Sequence, residues 1–190
     1  MEIKPEMFKK LIPLPVTVIT TIDAVGRTNA APYSCVMPIL RPLDVVTIAS
    51  ALPRDTLRNI RETGEFVINV IGRPRFKEAM HTARNYPPGV NELEAAGLES
   101  KASFRVKPPR MKDAIGWIEA VLVEEILRER YSLVIGKVVC AEINDVYADG
   151  ENLRELPAIG LHPKFRIVGE DVICEAEEIR SMPRWGWTVG

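Results

Sequence analysis

The apolar stretches of this chain are short, rich in β-branched residues and separated by turn signals. Such stretches predict β-strands, because side chains branched at Cβ pack well on a pleated sheet. A regular alternation of strands and helices is missing, as is a glycine-rich turn between a strand and a helix, which excludes a doubly wound nucleotide-binding fold. The sequence predicts a mainly β domain instead, an antiparallel barrel with a few short peripheral helices.

The predicted strands span residues 15–22, 28–37, 43–49, 65–71, 117–127, 133–146, 165–168 and 172–174, the last two forming a hairpin around 169–171. Pro32 interrupts the second strand, which indicates a sheet edge or a bulge. A helix is predicted over 55–64, because Asp55 or Thr56 can cap its start and Gly64 can end it. A second helix over 75–84 and one further turn over 91–96 complete the prediction.

Composition limits the classes of partner. The 190 residues suit a single domain, 1–190, and the formal net charge of −1 argues against a nucleic-acid partner. No apolar run approaches the roughly 20 residues that a membrane span requires, so we expect a soluble cytoplasmic protein. Three widely spaced cysteines and two histidines predict buried thiols in a reducing compartment and no metal site.

Residues 26–35 form the first candidate binding segment. Small side chains at Ala30 and Ala31 let a flat ligand approach the backbone, and Asn29 and Ser34 add short donors and acceptors. Pro32 has no amide hydrogen, so it breaks the strand ladder and frees neighbouring backbone groups. The alternative interpretation is a hairpin with a polar edge.

Residues 50–59 form the second candidate, a strand end followed by a helix start. Free N–H groups and the helix dipole favour phosphate there, and Ser50, Thr56 and Arg54 can complete the site. Asp55 counts against this, because an N-cap carboxylate would occupy the same N–H groups and repel phosphate. The alternative is a capped helix with a surface arginine.

Residues 80–89 form the third candidate. His81 and Arg84 lie at helical spacing and can face one site, and Tyr86 can stack on a ring system. The alternative is a solvated helix end. No catalytic residue is identified, and His162 has no acidic motif beside it. Two tryptophans in 183–187 suggest a tail that packs on its own barrel or on a partner subunit.

Several segments in fixed order resemble the flavin reductase-like family, the FMN-binding split-barrel proteins that include flavoredoxins and archaeal ferric reductases. They are residues 15–21, 26, 29–34, 54–56 with 59, 64–69, 89–92, 96–98, 107–109 and 134–138. The family commonly has lysine where this chain has Arg54, a change that keeps the charge. The region after residue 150 matches poorly, which leaves the electron donor open.

The resemblance implies a homodimer of Greek-key split barrels with one FMN per subunit near the dimer interface. It implies that electrons pass from NADH or NADPH through FMN to free flavin, ferric iron or a redox protein, or that the protein is an FMN electron carrier without a pyridine-nucleotide site. The implied ring and ribityl residues are Asn29, Ala30, Ala31, Ser34 and Cys35. The implied ribityl and phosphate residues are Ser50, Arg54, Asp55, Thr56 and Asn59, with Arg84 and Tyr86 as further candidates.

Overall fold

The computed structural model describes residues 2–39, 43–87, 89–161 and 164–169. The strands in these ranges are β1 (Leu14–Pro15), β2 (Thr17–Ile22), β3 (Thr28–Tyr33), β4 (Val36–Ile39), β5 (Val45–Ala51), β6 (Glu65–Val70), β7 (Ser100–Lys101), β8 (Arg110–Met111), β9 (Gly116–Leu127), β10 (Tyr131–Ile143), β11 (Ala148–Asp149), β12 (Asn152–Leu153), β13 (Ala158–Leu161) and β14 (Lys164–Ile167). The helices are α1 (Asp55–Thr63), α2 (Phe76–His81) and α3 (Glu92–Ala95), with 3₁₀ turns at Pro5–Lys10 and Asp145–Tyr147. None of the described helices is long and apolar enough to cross a membrane.

Seven strands form one antiparallel sheet in the order β3-β2-β6-β9-β10-β5-β4. Its two edge strands, β3 and β4, are joined by Ser34 and Cys35 alone. The sheet must therefore curl until its edges approach each other. A contact across this seam agrees, since the Tyr33 and Ser50 hydroxyls lie 2.9 Å apart. The Ala49 N–H donates to the Cys35 carbonyl at 2.9 Å and so extends the β4–β5 pairing into the turn.

Alternating residues of the strands pack into two cores, one inside the curled sheet and one outside it. The inner core contains Ile19, Ile48, Phe66, Ile68 and Val134, and α1 closes one end of it with Leu57 and Ile60. The outer core contains Val18, Val67, Trp117, Ala79 of α2 and Leu93 of α3. The central strands β2 and β6 are buried along nearly their whole length, as expected of strands that are covered on both faces.

The predicted strand over 28–37 is wrong as a single element. It is two strands, β3 and β4, on opposite edges of the sheet. The predicted interruption at Pro32 is also misplaced. Pro32 pairs with Val18 inside β3, and the break between the two strands falls at Ser34 and Cys35. An edge strand tolerates proline because its outward side has no ladder bond to lose. The prediction that Pro32 lies at a sheet edge is therefore confirmed, but the prediction that it breaks the pairing of its strand is wrong.

The start of α1 also differs from the prediction. Arg54 is the N-cap residue and makes no side-chain bond to the helix, while Asp55 is already helical and pairs with Arg58 at 2.8 Å. The predicted end is confirmed, because Gly64 adopts the left-handed conformation at φ 71°. Helix α2 is shorter than the predicted 75–84.

The two long strands are confirmed as β9 and β10, although β10 begins at Tyr131, before the predicted start. The predicted strand over 165–168 exists as β14, which pairs with β13. Its predicted partner over 172–174 lies outside the described residues. So do His162 and the tryptophans of the tail.

Candidate functional site

A cavity of about 450 Å³ opens at the seam between the two edges of the sheet. Residues 29–35 of β3 and the following turn form one wall, the end of β5 and the start of α1 form another, and residues 82–86 with Glu92 close the third side. Its volume lies within the range of small-molecule sites. We refer to it as the seam cavity.

Ten of the twelve predicted binding residues line the seam cavity: Asn29, Ala30, Ala31, Ser34, Cys35, Arg54, Asp55, Thr56, Arg84 and Tyr86. The structure thus brings all three predicted segments together. Ser50 and Asn59 are buried and do not line it. Ser50 supports the wall from behind through the Tyr33 hydroxyl.

Asn59 belongs to a buried polar network that fixes α1 against β2 and β3. Asn59 Nδ2 donates to Thr21 Oγ1 at 3.1 Å, and Asn29 Nδ2 donates to Thr56 Oγ1 at 3.1 Å. Asn59 Oδ1 is buried without a hydrogen-bond partner among the described residues. Because buried polar pairs hold a defined geometry, the first turn of α1 is held at a fixed distance from β3.

The first turn of α1 is suited to an anion. No side chain caps its N–H groups, and the Asp55 carboxylate is engaged by the Arg58 guanidinium. The sequence-based objection that Asp55 would cap the helix therefore does not hold. A nine-residue helix with an uncapped start presents partial positive charge to the cavity.

Two guanidinium groups add to this positive charge. Arg54 and Arg84 line the cavity, and the ion pairs of the described residues include neither of them. Arg54 makes only a long bond of 3.5 Å to the Pro53 carbonyl. Both charges are thus available to a phosphate group, for which guanidinium is a strong partner.

Glu92 is a cavity residue that sequence reasoning missed. Its Oε2 accepts the Ala30 N–H at 2.8 Å, on the open side of β3. Burial raises the pKa of the Glu92 carboxyl, and the charge of Asp55 raises it further. Two sequence signals lay near it. Residues 89–92 belong to the segments that resemble the family, and Asn91 caps α3 by accepting the Leu93 N–H at 3.1 Å, but neither signal gives the direction in which Glu92 faces.

Other lining residues lie within the three predicted segments but were not singled out as binding residues: Tyr33, Ala51, Thr82, Ala83 and Asn85. Ala49 also lines the cavity and lies just before the second segment. Ala49 and Ala51 alternate with the inward-facing Ile48 on β5, so a correct strand register would have placed them on the outer face. Nothing in the sequence showed that this face borders a cavity.

Two further expectations are corrected. Cys35 is exposed, not buried, because it lies in the turn at the seam, and Cys140 is partly buried. His81 does not line the cavity with Arg84, because α2 ends at His81 and the chain leaves helical geometry before Arg84. Within the described ranges, no group of three His, Cys, Asp or Glu side chains can hold a metal ion.

Comparison with known proteins identifies the family. Residues 8–156 match the model of the flavin reductase like domain. The chain belongs to the flavin reductase-like family. An uncharacterized protein of Methanothermobacter thermautotrophicus is 46% identical over 147 residues, which cover 74% of this chain and 69% of that protein.

Solved structures of this family share the fold. Nitrilotriacetate monooxygenase component B from Bacillus cereus superimposes with a TM-score of 0.81 at 26% identity, over 92% of this chain and 98% of that one. A putative flavin reductase with a split barrel domain from Shewanella frigidimarina gives 0.77 at 20% identity, over 91% and 93%. The predicted fold class, a mainly β antiparallel Greek-key split barrel with a few short peripheral helices, is confirmed.

Family membership implies a flavin as the cofactor class, and the seam cavity fits one. A phosphorylated flavin needs positive charge at one end and room for a flat ring at the other. The uncapped α1 start with Arg54 supplies the first, and the small side chains of Ser34 and Cys35 in the turn at the seam supply the second.

Burial of Glu92 predicts that the stability of the protein depends on pH. Its carboxyl has a higher pKa in the folded protein than in the unfolded chain, so its contribution to stability is present at low pH and lost as the pH rises through the folded pKa. We expect Glu92→Gln to raise the melting temperature at about pH 8 and to leave it unchanged at about pH 4. Calorimetry checks this, with exposed Glu94→Gln as the control. A Glu92→Gln protein that melts lower than the wild type at the higher pH would contradict the burial argument.

Proposed function

We propose that this protein binds FMN in the seam cavity and transfers electrons from NADH or NADPH to an acceptor such as free flavin, ferric iron or a redox protein. The observation that carries the proposal is the polarity of the cavity. One end combines the uncapped start of α1 with the guanidinium groups of Arg54 and Arg84, which belong to no ion pair of the described residues. The other end offers small side chains and backbone N–H donors.

The phosphate of FMN is assigned to the α1 end. The Arg54 guanidinium, the first N–H groups of α1 and the Thr56 hydroxyl converge there. Thr56 Oγ1 accepts from Asn29, which leaves its own hydrogen free to donate to a phosphate oxygen. Arg84 approaches from the 82–86 side, and Asp55 is paired with Arg58 and so repels the phosphate less.

The isoalloxazine ring is assigned to the turn at the seam. The hydrogen bonds of the described residues include none donated by the backbone N–H groups of Ser34 and Cys35, and both residues line the cavity. These donors suit the carbonyl oxygens on the pyrimidine edge of a flavin. Tyr86 is half-buried, lines the same cavity from the 82–86 side and offers a ring on which the flavin can stack.

When bound, the flavin supplies the redox chemistry, by accepting a hydride and releasing electrons to the acceptor. The side chains of this protein then only have to bind, orient and tune. No acid or base from the protein is required, so we assign no catalytic residue.

A homodimer is part of the proposal. On the outer face of β4, β5 and β10, the apolar side chains of Met37, Val45 and Ile135 lie beside Thr47 and Lys137 and belong to neither core cluster. Met37 is 61% exposed. Ala49 and Ala51 lie on the same face of β5 and line the cavity, so a second copy seated on this face would also cover the flavin.

Purification and anaerobic reduction test the function. We expect a yellow protein whose extracted flavin is FMN rather than FAD on chromatography. NADH or NADPH added without oxygen should bleach the flavin absorbance within seconds. Bleaching with neither nucleotide would favour the electron carrier, and a colourless protein that takes up no FMN in a titration would refute the cofactor assignment itself.

Arg54→Ala tests the phosphate assignment. Loss of a charge-assisted bond should weaken FMN binding by about 1–3 kcal/mol and leave riboflavin, which has no phosphate, unaffected. Fluorescence titration measures both, and Arg105→Ala, which removes an exposed arginine away from the cavity, is the matched control. Unchanged FMN affinity would move the phosphate towards Arg84.

Met37→Glu tests the dimer. A buried carboxylate in an apolar interface is costly, so the variant should elute as a monomer in size-exclusion chromatography with light scattering and should bind FMN more weakly. Val25→Glu is the control, because Val25 is 76% exposed in the turn between β2 and β3. A Met37→Glu protein that stays dimeric would place the interface on another face.

A further inference from the structure

Glu92 presents a carboxylate oxygen to the seam cavity that the fold itself does not use. Its Oε2 accepts the Ala30 N–H at 2.8 Å, but no hydrogen bond within the described part of the chain reaches its Oε1. Among the ion pairs of the described residues, none joins Glu92 to Arg54 or Arg84, the cations that line the cavity. A partly buried carboxylate with one free oxygen is a strong acceptor for a ligand that donates hydrogen.

The position of Glu92 along β3 limits which part of a ligand it can meet. Ala30 follows Asn29, which is bonded to Thr56 at the α1 start, so Glu92 lies next to the phosphate end. Ser34, at the ring end, is four residues further along, about 13 Å at the usual rise of a strand. Glu92 therefore faces the stretch that joins the phosphate to the ring.

The chemistry of that stretch decides the assignment. A phosphate would be repelled by the Glu92 carboxylate, which has no cationic partner among the ion pairs of the described residues. The ribityl chain of a flavin is uncharged and carries several hydroxyl groups, each of which can donate to a carboxylate oxygen. An acceptor placed between the two ends of the cavity matches this chain.

We propose that Glu92 binds the ribityl hydroxyl groups through Oε1 and so selects flavins that carry a polyol chain. This inference rests on the proposed function, since it presumes that a flavin occupies the seam cavity. The competing interpretation is that Glu92 only holds the open edge of β3 by accepting the Ala30 N–H. The two roles differ in which ligands they affect.

A ligand series separates the two roles. Protein stripped of flavin is titrated with FMN, with riboflavin and with lumiflavin, which has a methyl group in place of the ribityl chain. Glu92→Ala should lose about 10- to 100-fold in affinity for FMN and riboflavin, the usual value of a bond to a charged group. Its affinity for lumiflavin should stay within about twofold of wild type, because that ligand makes no such bond.

Two controls accompany the titrations. Glu94→Ala removes an exposed carboxylate from the same helix and should change none of the three affinities. Glu92→Gln keeps an acceptor oxygen for the Ala30 N–H without the charge, so it should fall between wild type and Glu92→Ala for riboflavin. The melting temperature of each ligand-free variant is measured in parallel.

Equal losses for all three flavins, or a loss for riboflavin that matches a fall in the melting temperature of ligand-free Glu92→Ala, would overturn the proposal in favour of the edge-holding role. Unchanged affinities for riboflavin and FMN would also overturn it while leaving the FMN function intact. If wild-type protein binds none of the three flavins, the proposed function itself fails, which is a distinct result.

Discussion

The short connection between β3 and β4 is the constraint on which the rest of this structure depends. Two strands that are neighbours in the chain lie at opposite edges of a seven-stranded sheet, with only Ser34 and Cys35 between them. The chain can satisfy this only by curling the sheet, and the curl encloses the core that contains Phe66 and Ile68. The same connection leaves an opening at the seam. The interior and the binding cavity are thus two results of one geometric requirement.

The walls of the seam cavity are held from behind by buried hydrogen bonds. Thr21, Asn29, Thr56 and Asn59 link α1 to the sheet by buried hydrogen bonds, and Ser50 supports Tyr33 in the same way. Two of these residues, Ser50 and Asn59, belong to the implied site yet touch no cavity surface. Their place in the family pattern agrees with a supporting role, in which polar groups behind a site fix the groups that line it.

The sequence predicted which segments form strands and helices better than it predicted which segments come into contact in the fold. Short β-branched runs predicted the strands, and Gly64 predicted the end of α1, because these signals are local. The division of residues 28–37 between two sheet edges was missed, since it depends on a tertiary closure that no local pattern encodes. Glu92 was missed for the same reason. Ten cavity residues were nevertheless predicted, because the family resemblance supplied the long-range information that periodicity lacks.

The open edge of β3 has a consequence for how copies of this protein meet. An uncovered strand edge normally offers a row of donors and acceptors to any passing strand. Here Pro32 contributes no donor, and the Ala30 donor is already taken by Glu92. Continuation of the sheet from β3 of one molecule into another is therefore disfavoured.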